Sequence, residues 1–118
     1  MQGTVSMKDR RGHQRTSVSL PAQVFDDTRL VVQGRTLDVS MGGALLHGRA
    51  RLSIGQAVRV EVPRGRTRNP LVLRAEVVRL EEPSVGQRRH GLALRWLEPS
   101  LVDVAALASL LRDRTEPA

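Results

Sequence analysis

The chain has 118 residues, no cysteine, and a formal charge of +7 carried by eighteen arginines and a single lysine against 12 acidic residues. That length suits one domain able to bury a core without a metal or disulfide staple, and the missing thiols exclude disulfide frameworks, thiolate zinc sites and cysteine nucleophiles. No apolar run approaches the roughly 18 residues of a membrane span, and the N-terminus is too polar for a signal peptide, so the expectation is a cytoplasmic protein that does not enter a membrane.

Residues 1–15 read as an arm outside the apolar pattern: nothing periodic precedes Asp9, and the arm ends in the basic cluster Arg10-Arg11-Gly12-His13-Gln14-Arg15. From Thr16 the residues Val18, Leu20, Ala22 and Val24 alternate with polar or small ones, as in a half-buried strand, with Pro21 hinting at an edge or bulge. Asp26-Asp27 marks a turn. A second strand is predicted from Arg29 to Val39, interrupted at Gln33-Gly34 by a turn or bulge. It leads into Asp38-Val39-Ser40-Met41-Gly42-Gly43, where alternation turns Asp38 and Ser40 to one face and Leu37 and Val39 to the other.

A short strand follows over Ala44 to His47, then a loop at Ser53 to Gln56 and a clean alternation at Val58, Val60 and Val62. Arg64 to Asn69 is a polar turn. The long strand Leu71 to Leu80 shifts its apolar phase at Val77-Val78, which predicts a bulge or a change of face. After a loop from Glu81 to Gly86, a last strand spans about Arg89 to Leu97. From Pro99 the apolar residues Leu101, Val104, Ala105, Leu107, Ala108 and Leu111 recur at helical spacing, with Ser100 as N-cap, predicting one amphipathic helix over residues 99–113. About six short strands and one terminal helix, with no βαβ alternation, define an all-β class: a small antiparallel barrel over residues 16–98, closed or nearly so, with the helix as its plug.

The guanidinium groups of the arm and the Asp38/Ser40 shelf together suit an anionic, hydrogen-bonding ligand. Each cluster also has a plain structural reading, the first as a solvated basic tail and the second as an ordinary strand-to-turn transition. The net charge admits nucleic acid as a partner. Against it stands the scarcity of stacking platforms, since Phe25 and Trp96 are the only aromatic residues besides the histidines. Trp96, in phase with Leu92 and Leu94, reads as a core anchor between barrel and helix. His13, His47 and His90 show no metal-ligand spacing, and no serine sits in a nucleophile motif, so the reading is a binding protein and not an enzyme.

The pair formed by RxxxR (Arg11 and Arg15, with Arg10 ahead) and DxSxxG (Asp38, Ser40 and Gly43) resembles the PilZ domain, a bacterial receptor family for the second messenger cyclic di-GMP. The resemblance implies a six-stranded barrel, no cofactor or metal, and a cyclic di-GMP site built from Arg10, Arg11, Arg15, Asp38, Ser40, Gly42 and Gly43. In it the arginines would take phosphate and the O6/N7 edge of guanine, and Asp38 would accept from guanine N1 and N2, with Ser40 adding a hydroxyl and Gly43 close backbone approach. It further implies that the ligand orders the arm and that a downstream protein partner reads the result. Two other readings stay open at this point: a PilZ-like interaction module that binds no nucleotide, and a small basic barrel for nucleic acid.

Overall fold

Inward-facing apolar residues alternate along the long strands and meet in one core. Val58, Val60 and Val62 face it from one strand and Leu71, Leu73, Ala75 and Val77 from the next, together with Leu20, Ala22, Val24, Leu46, Leu92 and Leu94. The computed structural model describes residues 16–49, 51–66, 68–86 and 89–115. Its elements are β1 (Thr16–Ser17), β2 (Pro21–Asp26), β3 (Arg29–Val39), β4 (Gly43–His47), β5 (Ala57–Val62), β6 (Leu71–Glu81), β7 (Gly91–Trp96) and α1 (Leu101–Thr115). All pairings are antiparallel, and β3 pairs with β2 on one side and β4 on the other, so β2-β3-β4-β7-β6-β5 closes into a six-stranded barrel. Within the ring, each of the six strands is paired on both sides.

The seventh strand, β1, lies outside the ring. It pairs with the overhanging end of β3, Thr16 opposite Val39 and Ser17 opposite Asp38. The alternation from Thr16 to Val24 is therefore two strands in line, broken before Pro21. The buried Thr36 fills the break, its hydroxyl donating to the Val18 carbonyl at 2.5 Å and accepting from the Leu20 N–H at 2.9 Å. A side chain stands there for a missing backbone partner.

The predicted interruption at Gln33-Gly34 is not present, since β3 runs unbroken through both residues. Glycine is needed at 34 for another reason: a Cβ there would overlap the backbone carbonyl of His47 on β4. The irregularities of β3 lie on either side, at Val31, where its pairing with β2 slips, and three residues after Gly34, where its pairing with β4 slips between Thr36 and Asp38 and leaves Leu37 half-buried instead of inward with Val39. The bulge predicted at Val77-Val78 is present, with the register to β7 slipping between Val77 and Arg79.

Ser100 caps α1, its hydroxyl accepting from the Asp103 N–H at 3.0 Å while the Asp103 carboxylate accepts from the Ser100 N–H at 3.4 Å. The buried face differs from the one predicted. Leu107 and Leu110 enter the core, whereas Leu101 is 87% exposed and Ala105 is also outside. The helix seats on β6, and its deepest residues, Leu107 and Leu110, lie around its middle.

Candidate functional site

The six residues from Asp38 to Gly43 turn the chain from β3 into β4, and local bonds fix the turn. The Ser40 N–H donates to the Gly43 carbonyl at 2.8 Å, and the Ser40 hydroxyl accepts from the N–H groups of Gly42 at 3.1 Å and Gly43 at 3.3 Å. Trp96 then ties the turn to the barrel. Its indole N–H donates to the Ser40 carbonyl at 3.0 Å and its backbone N–H to the Gly42 carbonyl at 2.9 Å. Gly43 lies so close to β7 that a Cβ would overlap the Leu94 carbonyl oxygen. Ser40 and Gly43 thus have structural work in the turn itself, while Asp38 lies on the outer surface, half-buried.

Register extends that surface across four strands. Asp38 stands opposite Leu45, Leu45 opposite Ala93, and Ala93 opposite Arg79. At about 4.8 Å per strand, the row spans roughly 14 Å from a carboxylate to a guanidinium over a small apolar floor. Beside it runs a second row, Gly43, Arg95 and Glu76. A cavity of about 760 Å³ opens over both, lined by Asp38, Ser40, Gly42 and Gly43 on one side and by Arg79, Arg95, Trp96, Pro99 and Val104 on the other. Arg79 pairs with Glu81 at 2.8 Å and Arg95 with Glu76, all four being partly solvated, so the cations are oriented and still accessible.

One row further along β4, His47 follows Arg35 and precedes Gly91. Its Nδ1 is buried with no hydrogen-bond partner among the described residues. Burial pushes its pKa below 6.5, and the nearby positive charge of Arg89 adds to the shift. No cluster of His, Asp or Glu suited to a metal ion occurs among the described residues.

Of the predicted site residues, the structure brings Asp38, Ser40, Gly42 and Gly43 to one cavity. Arg10, Arg11 and Arg15 lie outside the described residues. Arg79 and Arg95 as lining residues, and Trp96 as the group that holds the turn, emerge only from the structure. The signal for Arg79 was present: uninterrupted alternation from Val77 would send residue 79 inward, and the bulge at Val78 turns it to the outer row. Nothing local signalled the bond from Trp96, which crosses 56 residues.

The fold and site define a small six-stranded β-barrel domain whose β3–β4 turn lines one side of an outer-face cavity. The PilZ domain model matches residues 9–113, and the chain belongs to that family. A comparison with curated protein sequences finds no match. Among solved structures, the chain is similar to the PilZ domain with c-di-GMP of YcgR from Escherichia coli, with 19% identity and a TM-score of 0.70 over 89% of this chain and 91% of that one. It is also similar to the PilZ domain of CeSA from a cellulose-synthesizing bacterium, with 24% identity and a TM-score of 0.62 over 85% and 96%. A third similarity is to the Bacillus subtilis inhibitor of motility MotI/DgrA, with 19% identity and a TM-score of 0.69; it covers 88% of this chain but only 50% of that one. Among the described residues no helix is long and apolar enough to cross a membrane.

Proposed function

We propose that this domain is a cyclic di-GMP receptor that performs no chemistry and passes the signal to a protein partner through its N-terminal arm. The observation that carries the reading is the register of β1. Thr16 stands opposite Val39, so covalent connection alone keeps Arg15 within one Cα step, about 3.8 Å, of a residue paired beside the Asp38–Gly43 turn. The strand that continues from the arm and the turn share one end of the barrel. In this reading Arg11 and Arg15 take phosphate or the guanine O6/N7 edge bidentately, and Asp38 accepts from guanine N1 and N2. Ser40, Gly42 and Gly43 act by holding the turn's shape under the ligand.

The residues from Lys8 to Ser17 include no apolar side chain, while Lys8, Arg10, Arg11 and Arg15 crowd like charges. A dianionic ligand supplies the missing counter-charge and joins arm to barrel, at the expense of the arm's conformational freedom. The bound cyclic dinucleotide in the YcgR domain of the same fold supports the ligand class. Calorimetric titration of the chain with cyclic di-GMP, with GTP and a short oligonucleotide as controls, tests it. A single saturable response to the cyclic dinucleotide is expected; a response only to the oligonucleotide would place the chain among nucleic-acid binders instead. Amide hydrogen exchange should show new protection over Arg10 to Arg15 and Asp38 to Gly43 on binding. An arm protected equally without ligand would remove the ordering step.

A further inference from the structure

We propose that the β5–β6 hairpin carries a second recognition surface, for an acidic segment of a partner protein, centred on its turn arginines and Arg74 and outside the lining of the Asp38 cavity. Along this hairpin the alternation is clean. Val58, Val60, Val62, Leu71, Leu73 and Ala75 face the core, and Arg59, Glu61, Val72, Arg74 and Glu76 face outward. The connecting turn adds Arg64, Arg66 and Arg68 between Pro63 and Pro70.

The hairpin's two carboxylates are already committed, Glu61 to Arg59 at 3.1 Å and Glu76 to Arg95. Arg66, Arg68 and Arg74 are exposed, and no described residue offers them an ion pair or hydrogen bond. Register also sets Arg74 directly opposite Arg59, a like-charge pair that a sheet ordinarily avoids. Arg59 is relieved by Glu61, by the Asp27 carbonyl and by the Phe25 ring 4.5 Å away. Arg74 is not. A sheet that keeps an unrelieved cation there is complementary to carboxylates brought from outside.

The position in the ring makes this surface independent of the cavity. In the order β2-β3-β4-β7-β6-β5, strand β5 lies three places from β4, and β6 lines the cavity only through Val78 and Arg79, so a ligand over Asp38 and Leu45 leaves Arg66, Arg68 and Arg74 open. The chemistry favours protein over nucleic acid. Glu61 and Glu76 flank the Arg59–Arg74 pair, which suits a surface of mixed charge better than a continuous phosphate track, and the residue opposite Glu61 is an exposed Val72 and not an aromatic platform.

The test uses the full chain and three labelled probes in low-salt buffer: a short oligoglutamate peptide, a short DNA duplex and phosphatidylserine vesicles. Binding is compared in wild type, in R66S/R68S/R74S, and in R29S/R49S/R51S, which removes the same charge at the far end of the barrel. The expected result is that oligoglutamate binds wild type best of the three probes and loses about tenfold or more in affinity in R66S/R68S/R74S, with a smaller loss in R29S/R49S/R51S. Circular dichroism confirms that both variants are folded. Equal losses in the two variants, no oligoglutamate binding to wild type, or tighter binding of duplex or vesicles would each overturn the proposal. The outcome does not depend on whether cyclic di-GMP binds.

Discussion

Two turns leave the barrel at the same end, because β3 and β5 both run antiparallel to β2: the Asp38–Gly43 turn after β3 and the arginine turn after β5. Both are polar and short. The first is tied down by four bonds within the turn and two from Trp96, and its last glycine abuts the β7 backbone. Across the second, Arg64 Nε donates to the Asn69 carbonyl at 2.9 Å, and the guanidinium groups of Arg66 and Arg68 are exposed to solvent. The difference separates two ways of making a recognition surface. The first presents a fixed shape that costs stability to change, and the second presents charge that costs nothing to remove.

Substitutions should break that comparison or sharpen it. The largest effect is expected from Gly43→Ala, whose methyl group meets a backbone carbonyl that cannot rotate away; a loss of about 3 kcal/mol or more, and a fall in Tm of roughly 10 °C or more, should appear in thermal unfolding. An unchanged Tm would mean that the two turns are equally tolerant. Next come Arg11→Ala and Arg15→Ala, each expected to weaken cyclic di-GMP binding about ten- to a hundredfold by calorimetry with no change in Tm. The same measurement on Arg66→Ala should give wild-type affinity.

Trp96→Phe keeps most of the ring's packing but strands the Ser40 carbonyl, so denaturant unfolding should show a loss of about 1–3 kcal/mol. A pH series adds a contrast between strands, because the far end of β4 holds a half-buried imidazole whereas the hairpin's arginines keep their charge. The folded-state pKa of His47 is lowered, so the unfolded chain binds the proton more readily; stability from this group is complete above about pH 6.5 and declines as the pH falls below it. His47→Gln should flatten that decline in stability curves taken at successive pH values. The smallest effect belongs to R66S/R68S, expected to stay within about 0.5 kcal/mol of wild type.

Much of this architecture was legible from short-range pattern. The alternations of β5 and β6, the bulge at Val78 and the Ser100 cap each depend on neighbours a few residues apart, and each is present as read. The errors share a physical origin in distant backbone. Gly34 looked like a turn because its reason for being glycine is the His47 carbonyl on another strand. The break before Pro21 was invisible because Thr36, 16 to 18 residues away, satisfies the groups it frees. Helical spacing gave a stripe on α1 without saying how deep each residue sits, so Leu101 was assigned inward and Leu110 overlooked. The turn's residues were recognisable as a motif, yet the commitments of Ser40 and Gly43 to the turn itself required the positions of β4 and β7.

The placement of β1 outside the closed ring has a consequence for how this domain can change over generations. Since β2 and β3 already complete the circle, nothing upstream of Val18 is required for closure. Variation in the length or composition of that upstream stretch, including a fusion joined there, is then screened by what it binds and hardly at all by whether the barrel folds. Selection can retune the stretch upstream of Val18 while the scaffold stays indifferent.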